Sequence, residues 1–80
     1  MNPRVKSVKP NEDFTLSIVF ENSAIKRFDV KPLLSEGVFQ KLQDFKIFQQ
    51  VRNSYGTVEW PEEIDICPDT LFEDSVDEVP

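Results

Sequence analysis

An 80-residue chain with 39% apolar residues, seven Phe and one Trp can build one modest hydrophobic core but not two domains. It contains no His and one Cys, which removes Ser-His and Cys-His nucleophile pairs and any tetrahedral zinc site made within the chain. A formal net charge of −6 disfavours direct contact with nucleic-acid phosphates, and no apolar run approaches the ~20 residues that cross a bilayer.

Residues 4–9 read as a first strand, ended by Pro10 and the polar Asn11-Glu12-Asp13 turn. Residues 15–21 alternate, with Leu16, Ile18 and Phe20 toward a core and Thr15, Ser17 and Glu21 toward solvent. Asn22-Ser23-Ala24 supplies a turn. Residues 25–31 then return as a third strand, Phe28 and Val30 on one face, and pair with the second as an antiparallel hairpin. At Pro32 the period changes. Leu34, Val38, Phe39, Leu42, Phe45 and Phe48 recur at three and four residues, a helical stripe wide enough to cover a sheet face. Gly37 and Asp44 divide it into two short helices, with Asp44 as N-cap of the second.

Tyr55-Gly56 reads as a turn, followed by strands over residues 57–60 and 64–67 joined by Pro61-Glu62-Glu63. Val58 and Trp60 face Ile64 and Ile66 across that hairpin. Pro68 opens a last helical turn over residues 69–73. The expected fold is α+β: a small antiparallel β-sheet covered on one face by one or two short helices, in the order β-β-β-α-β-β and a short helix. Residues 1–74 are expected to form a single compact domain, and residues 75–80 an acidic tail that frays.

Charge is unevenly placed. All nine Lys and Arg lie between Arg4 and Arg52, whereas residues 53–80 hold nine acids and no base. The carboxylates Glu59, Glu62, Glu63, Asp65 and Asp69, with Tyr55 or Trp60 as an aromatic anchor, are the expected interaction surface for a basic protein partner. Core packing competes with that role for the two aromatics, and plain solvation competes with it for the carboxylates. These acids and Glu73 follow no EF-hand spacing, and the two glycines form no phosphate loop, so neither a metal nor a cofactor is expected. No catalytic constellation stands out, and a binding role is expected rather than an enzyme. Arg4, Lys6, Lys9, Lys26, Arg27 and Lys31 lie on neighbouring strands, interrupted by Glu21 and Asp29, as a solvated sheet face. Cys67 has no base near it in sequence and is expected to be a buried, inert thiol. A lone Cys, and no apolar stretch behind Met1-Asn2-Pro3-Arg4, lead to the expectation of a cytoplasmic location without signal peptide or membrane anchor.

Four strings stand out together: Phe28-Asp29-Val30-Lys31-Pro32, Gly37-Val38-Phe39, Tyr55-Gly56-Thr57-Val58-Glu59-Trp60-Pro61, and Asp65-Ile66-Cys67-Pro68-Asp69-Thr70-Leu71-Phe72. In order and spacing they resemble, over residues 3–76, a bacterial family of small stand-alone proteins of unknown function. That family is similar to the N-terminal domain of certain proteins with a helix-turn-helix domain behind it. The resemblance implies a compact α+β fold, a link to transcription regulation, and an antitoxin-like partnership with a second small protein. It assigns no catalytic residue. Pro61-Glu62-Glu63 departs from the Asn/Gly-type turn expected there, and Phe72 stands where Tyr is common. Two readings follow. One is a small cytoplasmic protein-interaction or regulatory module; the other is a small-molecule-sensing domain linked to transcription regulation. The sequence sets no oligomeric state.

Overall fold

The structure, a computed structural model, describes residues 2–78. In chain order these form β1 (Val5–Pro10), β2 (Thr15–Phe20), β3 (Ile25–Asp29), 3-10 segments at Lys31–Leu33 and Gly37–Gln43, then α1 (Phe45–Phe48). β4 (Arg52–Ser54), β5 (Thr57–Trp60), β6 (Ile64–Ile66), α2 (Pro68–Asp74) and β7 (Val76–Asp77) follow. The fold is α+β with antiparallel pairing throughout the described strands. Instead of one sheet there are two, ordered β1-β2-β3-β7 and β4-β5-β6.

The alternation in β2 and β3 places the core. Leu16, Ile18 and Phe20 are buried, and Leu16 stands in register with Phe28, which points the same way. From the second sheet, Val58 pairs with Ile66 and Trp60 with Ile64, and all four are buried. Both inner faces therefore feed one cluster, closed by Leu42, Phe48 and Leu71 from the helical segments. The short helices share the covering of the first sheet with the second sheet, because segments this short cannot cover it alone.

A bulge joins the two sheets. The β1–β2 register shifts between Val5 and Ser7, and the Asn53 side-chain amide donates to the carbonyls of Val5 and Lys6 at 3.2 and 3.0 Å. The Val5 N–H donates to the Gly56 carbonyl at 2.9 Å. Trp60 Nε1–H donates to the Phe48 carbonyl at 2.9 Å, fastening the second sheet to α1.

Three expectations change. The stripe over residues 34–48 is 3-10 over Gly37–Gln43, which begins at Gly37 in the left-handed region (φ +49), and α-helical only over Phe45–Phe48. Phe39, Leu42, Phe45 and Phe48 recur at three residues, the period of a 3-10 helix, and all reach the core, while Val38 falls off that row and is exposed. Thr15, expected outside, is buried: the Asp13 carboxylate accepts from its N–H and hydroxyl, and the Asn11 amide donates to its hydroxyl oxygen. The expected fraying tail is paired over its described part, since β7 docks on β3 with Lys26 opposite Asp77 and Arg27 opposite Val76. Opposite charges account for it: Lys26 bridges Asp77, and Arg27 forks onto Glu78 with two bonds of 3.0 Å. Val79 and Pro80 lie outside the described residues.

Candidate functional site

The strands of the second sheet send alternate side chains in and out, so Val58 and Trp60 go to the core and Glu59 to the outer face. Register sets Arg52 opposite Glu59 and Glu59 opposite Asp65. Two carboxylates thus stand directly across from each other, Cβ atoms roughly 5 Å apart, an arrangement that opposes folding. Arg52 answers only one of them, donating to Glu59 from Nη2 at 2.7 Å and from Nε at 3.2 Å. At the β5–β6 turn, Glu62 and Glu63 sit at φ 68 and 62, a left-handed pair that turns both side chains outward. Lys41 bridges Glu62 at 2.6 Å, both half-exposed. Glu59, Glu62, Glu63 and Asp65 form one acidic surface on the outer face and end of this sheet.

The other expected members lie elsewhere. Trp60 is 1% exposed and cannot anchor a partner. Tyr55 is 97% exposed, but at the β4–β5 turn, the opposite end of β5 from Glu62 and roughly 15–20 Å away. Asp69, in the first turn of α2, and Glu73 accept from the Asn2 amide at 3.2 and 2.9 Å. Cys67 is exposed, because β6 ends at Ile66 and the chain turns outward into α2 there, so the buried reading is corrected. No group of three or more metal-ligating side chains occurs among the described residues.

The charge asymmetry of the sequence is partly resolved by folding. Glu59, Glu62, Asp77 and Glu78 from the acidic end each meet a base from the first part of the chain. Sequence reasoning missed Arg52 and Lys41 as these partners, although the Arg52–Glu59 register follows from the Tyr55-Gly56 turn once β4 is assigned.

A second feature went unforeseen. On the outer face of the first sheet an open depression of about 360 Å³ is lined by Asn11, Glu12, Asp13, Thr15, Ser17, Arg27 and Glu78. Its groups bond one another: Asn11 donates to Thr15 and Ser17, Thr15 to Asp13, and Arg27 to Glu78. Acceptance from the Thr15 hydroxyl holds Asp13 below the usual carboxylate range, and the Arg27 guanidinium does the same for Glu78. The Ser17–Arg27 half follows from the β2–β3 register. The Glu78 half depends on β7, which the sequence did not announce.

No curated protein and no solved structure matches the chain. Residues 5–77 match the family described as protein of unknown function (DUF2442), so the resemblance to a family of unknown function holds and the chain belongs to it.

Proposed function

We propose that the chain is a protein-interaction module, not an enzyme, whose acidic outer face on β5, β6 and their turn receives a basic protein. One observation carries this: Glu59 and Asp65 are held opposite each other in register, with Arg52 answering only Glu59. A cross-strand like-charge pair works against the fold, and a partner's Lys or Arg placed between the two carboxylates turns that repulsion into attraction. Glu62 and Glu63 add to the field that steers such a partner. An antitoxin-like half of a two-gene pair in the cytoplasm is one form this module takes. A small-molecule-sensing domain linked to transcription regulation is the second reading, favoured by the polar depression; its mutually satisfied groups offer a ligand less than the strained carboxylate pair does.

The test uses opposite signs. Asp65→Lys removes the repulsion and should raise stability by roughly 0.2–1 kcal/mol in denaturant titration. The same change should slow association with a basic partner, identified by co-purification from the native host and then purified. Glu62→Gln with Glu63→Gln should slow it several-fold at about 50 mM salt and little at about 500 mM. An association rate indifferent to salt and to both variants rejects the reading.

A further inference from the structure

The weakest attachment in the first sheet is its last strand. β7 is two residues long and exposed, and it meets β3 only at Lys26 and Arg27, with one further bond from the Glu78 N–H to the Ile25 carbonyl. Its side chains are held by ion pairs near the surface: Lys26–Asp77 at 3.6 Å and Arg27–Glu78 at 3.0 Å. Such pairs contribute little each. The Lys26 ammonium also lies 4.1 Å from the centre of the Phe72 ring, so it stays fixed beside the strand whether or not Asp77 is there. Behind β7 is therefore a sheet edge carrying backbone groups and two placed cations.

We propose that the β3 edge is a strand-addition site for an extended acidic peptide segment of apolar-acid-acid pattern, and that Val76-Asp77-Glu78 is its intramolecular occupant. Main-chain bonds supply general affinity for an extended segment. Lys26 and Arg27 supply the preference for acids at the two positions that Asp77 and Glu78 now fill. A tethered strand competes at an effective concentration in the millimolar range, so a free peptide is excluded until β7 is displaced.

The experiment keeps the full chain and disables β7 with Val76→Pro, Asp77→Lys and Glu78→Lys, since Pro cannot join the ladder and the lysines repel Lys26 and Arg27. Fluorescence of the buried Trp60 verifies the core. The probe is a ten-residue labelled peptide with Val-Asp-Glu at its centre. Fluorescence anisotropy should show binding to the disabled chain on the order of tenfold tighter or more than to the unaltered chain. A Val-Lys-Lys peptide should not bind it. Adding Arg27→Glu should abolish binding of the acidic peptide and transfer preference to the basic one. If the triple variant loses its core, the pair Asp77→Lys with Glu78→Lys, which replaces both ion pairs by repulsion and keeps Val76, is read the same way. A folded variant that ignores the acidic peptide at about 1 mM overturns the proposal, as does equal binding of both peptides.

Discussion

Gly56 holds φ +82 at the β4–β5 turn, where a Cβ would stand 2.9–3.1 Å from the Cδ, Cγ and Cβ of Arg4. Two penalties therefore attach to one substitution, and they separate. Gly56→Ala forces an L side chain into the left-handed region and pushes on Arg4, at roughly 1–2 kcal/mol by chemical denaturation. In an Arg4→Ala background the push from Cδ and Cγ disappears and only the 3.1 Å contact with the Cβ and the backbone strain remain, so the two changes should not add. Additivity would mean that Arg4 packs elsewhere in solution. Phe14, at φ 63, bears the same kind of strain without glycine's freedom. It is held there by its ring, which packs on Phe45 and Phe48 at centroid distances of 5.6 and 5.1 Å.

At the scale of elements, α1 has four residues and owes its position to its ends. The Asp44 side chain accepts from the Lys46 N–H at 3.0 Å, and Phe48 is buried under Trp60 and Phe14. Asp44→Ala should cost about 1 kcal/mol. Because Phe48 sits one turn away, loss of the cap should also alter Trp60 fluorescence; an unchanged spectrum would show that packing alone positions the helix. The cap was readable in the sequence, as were β2, β3, the Thr57–Trp60 strand and the Pro68 helix start, since each depends on neighbours within a few residues. The 3-10 character of residues 37–43 was present as the spacing of Phe39, Leu42, Phe45 and Phe48, but Leu34 and Val38 masked it as an α-helical stripe. The division into two sheets was not readable, because it turns on a bulge at Val5–Ser7 and on the Asn53 amide that fills it, both long-range. The acidic surface was half legible: periodicity alone puts Glu59 and Asp65 on the face opposite Trp60, yet Trp60 and Tyr55 were grouped with them although alternation separates one and turn position the other.

Across the whole molecule, ion pairs tie the basic first part of the chain to its acidic end, and the Arg27–Glu78 clamp is the one that titration can isolate. Arg27 pulls Glu78 below its ordinary 4.5, helped by the Ser17 hydroxyl, so the unfolded or detached tail binds protons more readily than the docked one. The clamp is consequently at full strength above the ordinary Glu pKa and is lost as pH falls through the depressed value. Asp13 follows the same rule from 3.8, its carboxylate stabilised chiefly by the Thr15 hydroxyl, and its protonation loosens the loop over Thr15. Neither carboxylate is a member of the apolar cluster around Trp60. Acid should thus release β7 before it unfolds the core. As pH falls through the depressed Glu78 value, hydrogen exchange at the Glu78 amide, which bonds the Ile25 carbonyl, should accelerate while Trp60 emission stays native. Glu78→Gln removes the titrating group and should make that amide's protection low and flat with pH once intrinsic exchange is corrected. If β7 protection and Trp60 emission instead fall together through one transition, β7 belongs to the core's cooperative unit, and the ion pairs at its surface do not set its stability.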